Sequence, residues 1–132
     1  MDALKPIAAP VGRLLISLIF IVAGAQKIFG YAGTAAYMES QGVPGVLLPL
    51  VIFVELFGGI AILVGWKTAI WAVLLGGFSV ISGLLFHFIP GLGMEGQMAQ
   101  LQQIMFMKNL AIAGGMAMLF HAGPGAYALD NR

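Results

Sequence analysis

Four long apolar stretches, separated by short polar or glycine-rich intervals, organise the chain. They fall near residues 11–29, 46–65, 68–89 and 101–120, and each reaches the ~20 residues that a helix needs to cross a bilayer core. Prolines and glycines punctuate them. Pro10 precedes the first, Pro44 and Pro49 sit where a helix start tolerates them, Pro90 closes the third, and Gly123-Pro124-Gly125 closes the fourth. A tight Gly65-Trp66-Lys67-Thr68 turn joins the second and third stretches. The links from Gly30 to Gly45 and from Pro90 to Gln100 are longer, and their Tyr31, Tyr37, Met94 and Met98 suit the membrane interface. The pattern predicts an all-α integral membrane four-helix bundle, with residues 1–132 as a single transmembrane domain.

Composition strengthens this reading. Of 132 residues, 61% are hydrophobic and 8% charged, against roughly a quarter charged in soluble domains. The mean hydropathy is +1.01. Lipid is the solvent such a surface fits. A net charge of +1 with no basic cluster argues against a nucleic-acid partner. Cysteine is absent, which excludes thiol nucleophiles, disulfides and thiolate metal ligands in this chain, and no metal site is evident. Redox chemistry here would need a cofactor, a quinone or a partner protein.

Charge also sets the expected orientation. Lys5, Lys67 and Arg132, with Arg13 close by, lie on one side, while the loops of the other carry only Glu39 and Glu95. The excess of Lys and Arg predicts that both termini are cytoplasmic, in a multi-pass protein of the cell's inner membrane. A competing reading takes Lys5, Arg13 and the run ending in Ala23-Gly24-Ala25 as a cleaved signal peptide, which would leave three helices. A faint repeat, Gly58 to Leu63 against Gly114 to Leu119, fits a duplicated hairpin.

The polar residues inside the spans carry the candidate chemistry. An ionisable residue at the centre of a spanning helix costs about 2.5–3.5 kcal/mol on insertion scales, so each needs a reason. These are Arg13, Lys27, Glu55, His87 and Lys108, with the amides Gln26 and Asn109 beside them. Helical spacing gathers them with small residues: Arg13, Ser17, Gly24 and Lys27 on one face, and Gly76, Ser79, Gly83 and His87 on another. Gly58 and Gly59 flank Glu55, and Ala111 and Gly115 lie under Lys108. Such stripes should face the bundle interior, because small residues let helices approach. Depth sharpens the picture. At ~1.5 Å per residue, Lys27, Glu55, His87 and Lys108 all fall roughly 4–14 Å from the outer boundary. The expected site is that layer, with Glu55 and His87 as catalytic groups and Gln26, Lys27, Lys108 and Asn109 binding a ligand.

Plainer readings stand beside it. Arg13 is expected to snorkel to the inner headgroups, and on this reading Lys27, near a helix end, snorkels to the outer ones. Glu55 paired with a lysine would serve equally as a structural lock. The methionine-rich run from Met105 to Met118 reads as lipid-facing packing, and His121 lies at the end opposite His87.

At these residues the chain resembles the DoxX family of small bacterial and archaeal membrane proteins. The resemblance rests on Arg13 with Ala23-Gly-Ala-Gln-Lys-Ile-Phe-Gly30, on Val54-Glu-Leu-Phe-Gly-Gly59, Phe86-His87 and Lys108-Asn-Leu110, and on the ending Gly123-Pro-Gly-Ala-Tyr-Ala-Leu-Asp130. It covers nearly the whole chain and implies a four-helix inner-membrane bundle. Some members look like subunits of quinone-linked oxidoreductases, including a thiosulfate:quinone enzyme, and others are linked to thiol redox systems. The resemblance carries over no catalytic residue.

Three functions compete. The first is a membrane subunit of a redox system, binding a quinone or similar apolar carbonyl compound and depending on a protein partner; any enzyme activity is then that of an oxidoreductase subunit rather than of a stand-alone enzyme. The second is a structural or assembly anchor without chemistry of its own. The third is a small proton-coupled transporter acting as a homo-oligomer, with Glu55 as the coupled residue.

Overall fold

The computed structural model describes residues 1–132, and every regular element in it is helical. Four helices are long and apolar enough to cross a membrane: Lys5–Phe29, Gly45–Val64, Thr68–Gly91 and Gly96–Ala122. The first is helix α1 (Lys5–Phe29). A short helix α2 (Tyr31–Ser40) follows after Gly30. The second span is a 3-10 turn, Gly45–Leu47, running into α3 (Leu48–Val64). The third is α4 (Thr68–Gly83), a π turn Leu84–Phe88 and the single turn α5 (Ile89–Gly91). The fourth is α6 (Gly96–Ala122). Helix α1 packs along α3, α4 packs along α6, and the turn at Gly65 joins the two pairs.

Two differences at the helix ends have simple causes. Helix α1 begins before Pro10, with Pro6 in its first turn. Pro10 therefore sits inside the helix, where its missing N–H removes one bond, to the Pro6 carbonyl, and the helix continues through it. Helix α6 begins at Gly96 rather than near 101. Its first turns, with Gln97 and Gln100, carry no apolar run to announce them.

Helices in lipid gain little from apolar burial, so close packing holds them together. The glycine stripes supply it. A Cβ at Gly24 would meet Leu56 Cγ at 2.7 Å, and one at Gly59 would meet Ile21 Cγ1 at 2.8 Å. Gly58 lies against Trp71, Gly83 against Asn109, and Gly115 against Ile16 of α1. Between them sits a core of Phe20, Ala61, Ile62, Trp71, Ala72, Leu75 and Met116. Met116 is thus an interior residue, whereas Met107 and Met118 face outward as expected of the run. The repeat is only partly expressed, for Gly114 meets nothing while Gly58 is enclosed. Replacing Gly59 with leucine should lower stability in detergent by about 1–3 kcal/mol or more, the usual cost of overpacking. Ile60→Leu, on a half-exposed neighbour, should stay within about 0.5 kcal/mol. Equal melting of the two variants would contradict this assignment of faces.

Arg13 departs from expectation. It does not snorkel. It is 2% exposed, and its guanidinium donates to four backbone carbonyls: Leu63 (2.7 Å), Pro124 (2.9 Å), Ala126 (2.7 Å) and Tyr127 (3.2 Å). The last segment is folded back under the bundle by these bonds. Gly65 ends α3 with φ +74, and Ala128 packs so close that no side chain would fit there. Asp130 accepts from the Lys67 and Thr68 N–H groups at 2.6 and 2.9 Å, capping the start of α4. Burial works to raise the Asp130 carboxyl pKa. The bonds from Thr68 and Lys67, with the Lys67 charge, outweigh it and hold that carboxyl below its ordinary value. The cap is therefore complete at neutral pH and weakens only as pH falls through this lowered pKa.

Candidate functional site

At the end of the bundle remote from the termini, the four spans part around a cavity of about 270 Å³. Lys27 of α1, Glu55 of α3, His87 of the π turn, and Lys108 and Asn109 of α6 all line it. Its walls are apolar, with Phe20, Val51, Phe78 and Ile112 among them. Gln26 does not belong: its side chain is exposed and does not line the cavity. One residue is a 100° step around a helix, and on α1 that step carries Gln26 out of the cavity wall while Lys27 stays in it.

Lys27 Nζ lies 2.7 Å from Glu55 Oε1. The direction is poor for a hydrogen bond, so the contact is mainly ionic. The Glu55 side chain is 5% exposed and that of Lys27 28%. The lysine therefore reaches in from the rim to a carboxylate deep in the wall. Lys108 forms no ion pair, and its one polar contact is Met105 Sδ at 3.8 Å.

The π turn around His87 has a local cause. Pro90 has no N–H to return to the Phe86 carbonyl four residues before it, and its ring crowds that carbonyl. The helix widens by one residue, with the Ile89 N–H bonding Leu84 O. Gln102 of α6 serves the freed carbonyl, its Nε2 donating to Phe86 O at 3.3 Å. That bond fixes which way the amide points, so Gln102 Oε1 faces His87 Nδ1 at 2.7 Å and must accept from it. In the neutral imidazole Nδ1 then carries the proton, and Nε2 is left as an acceptor without a protein partner.

Asn109 is 8% exposed. Its Nδ2 donates to Ser79 O (2.9 Å) and Ser82 Oγ (3.2 Å), so both amide hydrogens hold α6 to α4 and only its carbonyl oxygen remains for a ligand.

Helix α2 contributes Thr34, Tyr37 and Met38 to the lining. The Tyr37 ring sits 5.9 Å from that of Phe86, and Met38 is buried. None of the three stood out in the sequence, nor did Gln102. Thr34, Tyr37 and Met38 do follow the i, i+3, i+4 spacing of one helical face, but Gly30, Gly33 and Gly42 around them read as a loop. No group of residues is arranged to hold a metal ion.

Comparison with known proteins agrees with this architecture. The sequence pattern of the DoxX family matches residues 8–88. Inner membrane protein YqjF of Escherichia coli (strain K12) is 46% identical, over 99% of this chain and 95% of its own length. Inner membrane protein YphA of the same strain is 35% identical, over 98% of this chain and 93% of its own length. A third relative, CatD of Bacillus subtilis (strain 168), is named as a candidate oxidoreductase. It is 34% identical over 47% of this chain and 46% of its own length. No solved structure matches the chain.

Proposed function

This chain is a multi-pass inner-membrane protein of the DoxX family, and from that premise we propose that it is the membrane subunit of a redox system whose cavity binds a quinone or similar apolar carbonyl compound. The observation that carries the reading is the cavity itself. Apolar walls from all four spans enclose a few polar groups aimed at a common space, the usual plan of a small-molecule site. At 270 Å³ it lies just under the ~300 Å³ at which such sites begin, so it suits one or two fused rings. Lys108 would donate to a ligand oxygen. Glu55 and the Nε2 of His87 would exchange protons with it, and Lys27 would hold the Glu55 charge. A quinone, when bound, would supply the electron chemistry that this cysteine-free chain lacks. Helix α2 would cover the site and limit water. The relative named as an oxidoreductase agrees with a redox role, over under half of the chain. A structural lock accounts for Lys27 and Glu55 but leaves the cavity and the unpaired Lys108 without a purpose.

The test begins with protein purified from native membranes in mild detergent. Solvent extraction and mass spectrometry should find a quinone-type compound near one equivalent, and a short-chain ubiquinone should displace it. Glu55→Gln should stay folded and bind the reduced hydroquinone, whose hydroxyl can donate to the carboxylate, at least about tenfold more weakly, as loss of a charge-assisted hydrogen bond implies. No extracted carbonyl compound and no binding of the short-chain quinone would defeat the proposal.

The orientation belongs to the same reading. With Lys5, Lys67 and Arg132 at the end of the bundle that carries the termini, that end would be cytoplasmic and the cavity would lie in the outer half. Reporter fusions at Arg132 and within residues 92–95 should report opposite sides, the first cytoplasmic. The same side for both would remove a span.

A further inference from the structure

The polar groups of the cavity do not balance. The Lys27 ammonium and the Glu55 carboxylate, 2.7 Å apart, cancel one another. Lys108 lines the same cavity with nothing but a thioether 3.8 Å away, and no other carboxylate lines it. His87 adds either no charge or a further positive one. With both lysines protonated, the cavity therefore carries at least one positive charge in excess, surrounded largely by Ile19, Phe20, Val51, Phe78, Phe86 and Ile112. An unpaired ammonium in apolar surroundings costs several kcal/mol unless an anion joins it.

The hydrogen-bonding groups left free are one charged donor, the Lys108 ammonium, and two neutral acceptors, the Nε2 of His87 and the Asn109 carbonyl oxygen. Lys108 offers only donors. The Nε2 of His87 is a free acceptor while the ring is neutral, because Gln102 holds the proton on Nδ1. The Asn109 amide hydrogens are spent on Ser79 and Ser82. A complementary ligand presents one anionic oxygen to Lys108 and needs no second cation. Its body must be apolar and flat enough to lie among Phe20, Phe78 and Phe86 under the Tyr37 ring, which stands 5.9 Å from Phe86.

We infer that the cavity selects an aromatic monoanion, an aryl carboxylate or an acidic aromatic hydroxyl compound, in preference to an uncharged ring of the same size. The inference rests on the reading of the cavity as a ligand site and narrows its substrate class. Within the redox proposal it singles out a hydroxylated quinone that is ionised at neutral pH.

Isothermal titration calorimetry on the full chain in detergent separates the two claims. Three bicyclic probes of similar size serve: 1-naphthoate, 2-hydroxy-1,4-naphthoquinone, which is an anion at neutral pH, and uncharged 1,4-naphthoquinone. Both anions should bind at least about tenfold more tightly than the uncharged quinone, the worth of a charge-assisted bond. In Lys108→Met their affinities should fall to that of the uncharged quinone. The wild-type comparison stands even if that variant fails to fold. Binding of 1-naphthoate without binding of either quinone would uphold the anion site and remove the quinone. Equal or tighter binding of 1,4-naphthoquinone would uphold the quinone site and overturn this inference. Failure of all three to bind would overturn both, and a folded Lys108→Met protein that keeps the preference would overturn the role of Lys108.

Discussion

Replacing Arg13 with leucine should destabilise the bundle by about 3 kcal/mol or more, a larger loss than any exposed charge substitution would cause. The variant leaves the carbonyls of Leu63, Pro124, Ala126 and Tyr127 without their donor. Each buried, unpaired polar group costs about 1–3 kcal/mol. The losses will not add in full, because the segment after Ala122 can peel away and take its carbonyls to water. That release is the second part of the expected result. Ala128 leaves Gly65, Asp130 leaves the start of α4, and the Lys67 and Thr68 amides lose their acceptor. Arg13→Lys should recover only part of the stability, since one ammonium cannot span carbonyls that three separate guanidinium nitrogens now reach. Thermal unfolding in detergent measures the first effect, and hydrogen exchange at Lys67, Thr68 and Asp130 the second. An Arg13→Leu protein that melts like the parent, with those amides still protected, would mean that the segment is held by something else.

This clasp also marks how far a sequence can be read. The four spans were legible because a bilayer demands long apolar runs and nothing else in the chain resembles one. The meeting of Lys27, Glu55, His87, Lys108 and Asn109 was legible for a related reason. A charge in lipid must find company, and depth along a helix follows from counting residues. Two of the features that could not be read share one cause, a partner that is backbone. The Arg13 nitrogens bond Pro124, Ala126 and Tyr127 carbonyls 111 to 114 positions away, and a carbonyl leaves no signature in the sequence. Pro90 could be seen to end a helix, but not that the Phe86 carbonyl it frees would recruit Gln102 and so set the His87 tautomer. Gln26 failed for a different reason. A shared depth does not imply a shared face, and its side chain is turned outward.

The Lys27 and Glu55 pair should show the strongest coupling in the protein. Glu55 is buried at 5% exposure and its ionic partner stands 2.7 Å away. Lys27→Met removes the cation in contact with Glu55 and leaves its carboxylate only the Lys108 charge elsewhere in the cavity, which should cost up to about 3–5 kcal/mol, the usual range for breaking a buried pair. Glu55→Leu is the gentler half, because the Lys27 side chain, 28% exposed, can turn toward headgroups when its partner is gone. The double variant Lys27→Met with Glu55→Leu strands nothing, and it should lie within about 1–2 kcal/mol of the parent, since apolar replacement of a whole buried pair is often neutral. Unfolding in detergent of the parent, the two single variants and the double gives the coupling directly, expected at about 2 kcal/mol or more. Strictly additive losses would show that the two side chains do not depend on one another, and the short contact would then have no energetic meaning. Ligand binding by the same four proteins separates lock from site. A pair that is only a lock predicts that the double variant, restored in stability, also binds what the parent binds. A pair that works on the ligand predicts a double variant that is stable and empty, because the carboxylate that exchanges a proton with the ligand is missing whether or not the fold has been rescued.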